Sequence, residues 1–185
     1  DSNAVNGISY GAWTTYSSAI SVTTDGNYAL DYNSTDRAGN AETTNTVYVL
    51  LDKTSPTTTD NTPASWQTAS FSITLTCSDG DTATATRSGC STTKYRLDSG
   101  AWTTYSSAVS ISTDANHVFD FNSTDVAGNR EATTTKYALL DTVRPVTSWD
   151  GNNNTWKAFD ANITLTCSDV TSGCSTTQYR LDSNA

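Results

Sequence analysis

The sequence predicts an all-β fold, and three observations carry that prediction. Ser and Thr make up about a third of the 185 residues, Met is absent, and only three Pro occur. Thr, Val, Ile, Tyr and Trp suit pleated surfaces, whereas the helix formers Leu, Ala, Glu and Lys are scarce or scattered. Short stretches also alternate with a period of two. In SITLTC, Ile73, Leu75 and Cys77 share one face and Ser72, Thr74 and Thr76 the other. Finally, the chain repeats itself. Residues 11–52 and 100–141 agree at about two-thirds of their positions at an offset of 89. SITLTCSDGDTATATRSGCSTTKYRLDS from Ser72 returns as NITLTCSDVTSGCSTTQYRLDS from Asn162. A period near 90 is too long for a solenoid repeat and suits a whole antiparallel β-sandwich domain.

Read in order, residues 53–141 hold about seven short strands. After SITLTC comes KYRLD, with Tyr95 and Leu97 expected inward and Lys94, Arg96 and Asp98 outward. HVFDFNSTD places Phe119 and Phe121 inward and Asp120 and Asn122 outward; its earlier copy uses Leu30 and Tyr32. LDSGAW, STDAN and DVAGN are turns, because Gly, Asn and Asp tolerate positive φ. LLDKTSP and LLDTVRP are linkers, since a Pro just after a strand cannot serve a central ladder. Boundaries at those linkers divide the chain into residues 1–52, the C-terminal half of one repeat; 53–141, a complete repeat; and 142–185, the N-terminal half of the next. Half a sandwich exposes its core face and its strand edges.

The chain opens on DSNA and closes on YRLDSNA, and joining the ends through one shared DSNA lands in phase on the intact repeat. The expectation is a window of a longer periodic polypeptide. The halves would be completed by covalently continuous repeats or by strand complementation between copies of the chain.

The four Cys fall as Cys77 with Cys90 and Cys167 with Cys174, one pair per repeat. Short matched pairs in a Ser/Thr-rich chain predict local disulfides and an oxidising compartment. The intervening segments differ in length, which a disulfide tolerates because closure entropy changes slowly with loop length. A four-Cys zinc site would need tighter spacing and both pairs together.

The motifs YRLDSGAWTTY, STDVAGNRE and LLDTVRP resemble the bacterial-type immunoglobulin-like repeat domains that stand in tandem in large cell-surface, adhesin and filament proteins. The resemblance covers essentially the whole chain, counting the half repeats. It implies Ig-like β-sandwiches in series, an extracellular or cell-surface location, a spacer or adhesive role, and no catalysis. Tandem surface repeats of this kind sometimes bind calcium at the joint, which points to Asp52 and Asp141, just before the linkers. No other cofactor is expected.

Function classes narrow further. A net charge of −9 and a pI near 4.2 argue against a nucleic-acid surface, which needs clustered Lys and Arg. No stretch approaches the roughly 18 apolar residues of a membrane span, and no signal peptide is evident. His117 is the single His, and its counterpart is Tyr28, so it is expected to be an ordinary strand residue. Ser-His or Cys-His catalysis has no second His to use. Asp31, Asn33, Asp36, Asn40 and Glu42 recur as Asp120, Asn122, Asp125, Asn129 and Glu131. Turn chemistry explains Asp36 and Asp125, with Gly39 and Gly128 supplying positive φ; calcium is the alternative use of such carboxylates.

Sequons at Asn33, Asn122, Asn153 and Asn162 are candidate N-glycosylation sites, with Asn33, Asn122 and Asn162 expected on outward strand phases. Trp13 and Trp102, like Trp66 and Trp156, recur once per repeat and are expected in the core or at the joint. Trp149 is the candidate exposed aromatic. The leading function is a non-enzymatic structural protein of a filament, fibre or adhesin stalk, whose partners are copies of itself. The alternative is a glycan-binding accessory module of a secreted multidomain protein, gripping sugars through exposed Trp.

Overall fold

The computed structural model describes residues 11–80, 87–150 and 155–182. Among them are twelve strands and no helix. The strands are β1 (Gly26–Tyr32), β2 (Asn45–Leu51), β3 (Thr57–Asp60), β4 (Phe71–Ile73), β5 (Leu75–Ser78) and β6 (Cys90–Leu97). They continue with β7 (Thr103–Thr104), β8 (Val109–Ile111), β9 (Ala115–Asp125), β10 (Thr134–Leu140), β11 (Val146–Trp149) and β12 (Leu165–Ser168). One sheet has four strands in the order β10-β9-β6-β7; the others are the pairs β1-β2, β3-β5, β4-β8 and β11-β12. The protein is therefore all-β, built of several small antiparallel sheets.

Two compact units divide the chain. The first gathers residues 1–59, 76–94 and 121–133, the second residues 60–75, 95–120 and 134–185. In the first unit β1 and β2 form a hairpin in register from Gly26 opposite Leu51 to Tyr32 opposite Asn45. The Asp36 carboxylate closes the turn between them: Oδ1 accepts the N–H groups of Ala38 (2.9 Å) and Asn40 (2.8 Å). Gly39 takes φ +94° there, a conformation that a Cβ would strain. Asp125 does the same for Asn129 at 2.7 Å, with Gly128 at φ +96°. The turn chemistry expected of D-x-A-G-N is thus formed twice.

The second unit holds most of the buried apolar residues: Ile73, Leu75, Ile111, Phe119, Ala138 and Leu140. Tyr95 packs on Phe119 with ring centroids 5.7 Å apart. The LDSGAW turn forms with a difference. Asp98 and Ser99, rather than Gly100, carry the positive φ (51° and 61°), the pattern of a two-residue hairpin turn that follows the strand twist.

The outward phase expected for Asp120 and Asn122 does not hold, because β9 is covered on both faces. Asp120, 5% exposed, accepts Arg96 Nε at 2.8 Å and Thr135 Oγ1 at 2.6 Å. Asn122, 2% exposed, accepts Arg130 Nε at 3.1 Å. Long basic side chains lie over the face that alternation marks as wet.

Candidate functional site at the linker aspartates

Asp52 follows β2, four residues before Pro56. Its carboxylate works in two directions. Oδ1 accepts the Thr54 N–H at 3.0 Å, a local Asx turn, and Oδ2 accepts the Ser88 N–H at 2.7 Å. Ser88 lies two residues before Cys90, which is disulfide-bonded to Cys77 with Cα atoms 6.3 Å apart. Asp79, two residues after Cys77, holds the next amide, accepting Gly89 N–H at 2.8 Å. The turn at Asp125 closes the assembly: Val126 N–H donates to the Gly89 carbonyl at 2.9 Å, and Asn129 Nδ2 to the Asp52 carbonyl at 3.0 Å.

Asp52, Asp79 and Asp125 each offer a carboxylate oxygen within 4.8 Å of the others, and Asp79 and Asp125 are buried. Arg87 flanks them, with Nη1 2.9 Å from Asp25 Oδ2 and 3.6 Å from Asp52 Oδ1. Burial would raise the Asp52 pKa, but the hydrogen bonds from Ser88 and Thr54 and the charge of Arg87 outweigh it and hold it below the usual value. An all-oxygen set of this kind has the chemistry of a hard divalent-cation site.

The arrangement is built a second time. Asp141 Oδ1 accepts the Val143 N–H at 3.0 Å, and Oδ2 accepts the Ser172 N–H at 3.0 Å. Ser172 again lies two residues before a disulfide cysteine, Cys174, joined to Cys167. Asp169 holds the Gly173 amide at 2.8 Å, as Asp79 holds Gly89. The Ser172 hydrogen bonds hold the Asp141 pKa down against burial. Upstream, Asp25 accepts Lys53 N–H (2.9 Å) and Asp114 accepts Thr142 N–H (3.1 Å), again 89 positions apart. Two things differ. Thr171 stands where the first arrangement has Arg87, and among the described residues only the first collects three carboxylates.

Of the expected linker aspartates, then, Asp52 joins an acidic cluster and Asp141 lies beside Asp169. The roles of Asp79 and Asp169 were missed, although TCSD recurs in both copies and marked them.

Other expected positions separate. Asn33 and Asn162 are exposed, whereas Asn122 is buried with its Nδ2 directed to Thr133 Oγ1 at 3.3 Å; its expected accessibility is corrected. Asn153 lies outside the described residues. None of the Trp side chains is in the buried core. Trp13 and Trp156 are exposed, Trp66 and Trp102 are half-buried, and Arg96 covers the Trp102 ring at 4.9 Å. Trp149 is 53% exposed.

His117 has a defined task. Nδ1 meets Asp98 Oδ2 at 2.6 Å and Nε2 meets the Thr113 carbonyl at 2.9 Å. Burial opposes its charge, but Asp98 and the carbonyl more than offset this and raise its pKa. In the first copy Tyr28 Oη donates to the Thr24 carbonyl at 2.8 Å, so two different side chains cap the same backbone position.

No protein-family model, curated protein or solved structure matches this chain.

Proposed function

We propose that the chain is a non-enzymatic extracellular structural protein, a run of tandem Ig-like repeats from a cell-surface filament, fibre or adhesin stalk, with repeat limits at residues 52/53 and 141/142. The observation that supports this reading is the repeated joint. An aspartate at the end of one repeat binds a disulfide-loop amide of the following segment, at Asp52–Ser88 and again at Asp141–Ser172. Hydrogen bonds from a fixed loop restrict rotation about a linker, which is what a load-bearing series of domains requires. The disulfides favour an oxidising exterior. Electron microscopy of the native material tests the reading. The expected result is thin filaments with an axial period of roughly 70–90 Å, two sandwiches of about 35–45 Å each. Isolated globular particles would overturn it.

The reading extends to calcium at the first joint. Asp52, Asp79 and Asp125 would hold the ion, and its charge would offset theirs and lock the linker to the loop. Calcium added to chelator-treated protein should raise the unfolding midpoint, and Asp79→Asn should abolish the rise. An unchanged midpoint in the unaltered chain would remove calcium from the mechanism.

A further inference from the structure

β10 is the edge strand of the four-stranded sheet, and the segment after β3 is pinned to it. Gln67 N–H donates to the Leu139 carbonyl at 3.0 Å, and Asp141 N–H to the Gln67 carbonyl at 2.9 Å. Asp60 Oδ1 accepts the Thr62 N–H at 2.9 Å, which fixes the start of the segment, and Pro63 stiffens it. Between this segment and the strands lies a cleft of about 430 Å³. Thr62, Pro63 and Ala64 line one side, and Asn116 of β9 with Lys136, Tyr137 and Leu139 of β10 the other. The volume falls within the roughly 300–1,000 Å³ of small-molecule sites.

The lining mixes an aromatic ring with polar groups. Ala138 and Leu140 on β10 are buried, and strand alternation turns Tyr137 to the opposite face, where it is 58% exposed. The exposed Asn116 adds a carboxamide that both donates and accepts. Among the described residues, Thr62 Oγ1 is the buried side-chain polar atom without a hydrogen-bond partner. A buried hydroxyl left unmet is unfavourable, and this one belongs to the cleft wall. Lys136 Nζ lies 3.6 Å from Asp60 Oδ2, so the one cationic group of the cleft is already offset. The combination also recurs in the sequence. Asn27, Tyr48 and Leu50 stand 89 positions before Asn116, Tyr137 and Leu139. Their register sets Asn27 opposite Leu50 and Ala29 opposite Tyr48, so carboxamide, ring and leucine share one face of the β1-β2 hairpin.

We propose that this cleft binds a short neutral saccharide, with a sugar ring stacked on Tyr137 and its hydroxyls bonded to Asn116, Thr62 and Lys136. Sugar hydroxyls donate and accept, as the mixed lining requires, and the C–H face of a sugar ring suits an aromatic surface. An anion is disfavoured, because the ammonium is paired and the chain carries a net charge of −9. An apolar peptide is disfavoured too, since it would desolvate Asn116 and Lys136 without giving them partners. The site goes beyond the structural role proposed above and stands whether or not the repeats form filaments.

NMR titration of the full chain with cellotriose, chitotriose and mannotriose tests the proposal, with circular dichroism confirming that each variant keeps the native spectrum. At least one of these sugars should shift the Asn116 side-chain amide and the Tyr137 ring resonances saturably. Tyr137→Ala should weaken that binding about tenfold, the scale of a lost ring contact, and Tyr137→Phe should retain it. Thr62→Val should weaken it without lowering the unfolding midpoint, because the hydroxyl has no partner to lose in the free protein. Trp149→Ala should leave it unchanged. Binding that survives Tyr137→Ala and disappears with Trp149→Ala would overturn the assignment. So would the absence of a shift with all of these sugars, or saturation of the cleft by a Val/Leu-rich peptide alone.

Discussion

The Asp52 carboxylate accepts the Ser88 backbone N–H at 2.7 Å, tying the end of β2 to the loop closed by Cys77 and Cys90. The Asp52 side chain is 4% exposed, so replacement strands a part-buried amide as well as losing a charge-assisted bond. Asp52→Ala should cost about 1–2 kcal/mol, read by denaturant unfolding. Hydrogen exchange should quicken at Ser88 and leave Ser172 unchanged. Asp141→Ala should show the reverse pattern.

Acid should loosen the Asp52–Ser88 and Asp141–Ser172 contacts. The folded pKa values of Asp52 and Asp141 are lowered. A carboxylate with a depressed folded pKa stabilises the fold above its unfolded value, near 3.8, and loses that contribution as the pH falls through the folded one. The Ser88 and Ser172 amide resonances should therefore hold their positions from neutral pH down to about 4 and shift below it. Asp52→Asn should remove the transition at Ser88 only.

His117 should behave oppositely. Its folded pKa is raised, so its contribution is complete below the unfolded value of 6.5 and fades as pH rises through the folded one. A proton titration of the imidazole should give a midpoint above 6.5 in the unaltered chain, and Asp98→Asn should lower it.

Glu131 receives the Thr58 hydroxyl and N–H and, at 2.6 Å, the Ser123 N–H. Thr58 is 8% exposed and Ser123 fully buried. Glu131→Ala should cost about 2–3 kcal/mol in chemical unfolding, because three donors on two buried residues lose their acceptor. Glu42→Ala, at the exposed equivalent, should cost the isolated chain under about 0.5 kcal/mol.

Reduction should separate the two staples by loop length. In the chain-entropy account, Cys77–Cys90, 13 apart in sequence, is worth about 3 kcal/mol, and Cys167–Cys174, 7 apart, about 2.4 kcal/mol. Paired Cys→Ser variants compared by denaturant unfolding should show the larger loss for Cys77/Cys90.

Much of this was legible in the residues. The strand class, the D-x-A-G-N turns and the cysteine pairs follow from local chemistry: side-chain shape, tolerance of positive φ, and spacing. What was not legible depends on residues distant in sequence. Alternation marked Asn122 as outward, but Arg130 covers it. Recurrence placed Trp156 in the core or at the joint, yet it stands fully exposed. Asp79 and Asp125 lie 46 positions apart, and only folding brings their carboxylates within 4.8 Å of Asp52.

One segment separates the two kinds of determination. STTKYRLDS and STTQYRLDS differ at a single position, Lys94 against Gln178, so their local preferences are nearly the same. The first contributes to β6, and residues 175–181 of the second form no strand. Sequence alone determined that both are suited to a pleated, half-buried surface. Tertiary structure decided which becomes a strand, because a strand's backbone bonds belong half to its neighbour. β6 has β9 beside it, and among the described residues no strand pairs with residues 175–181.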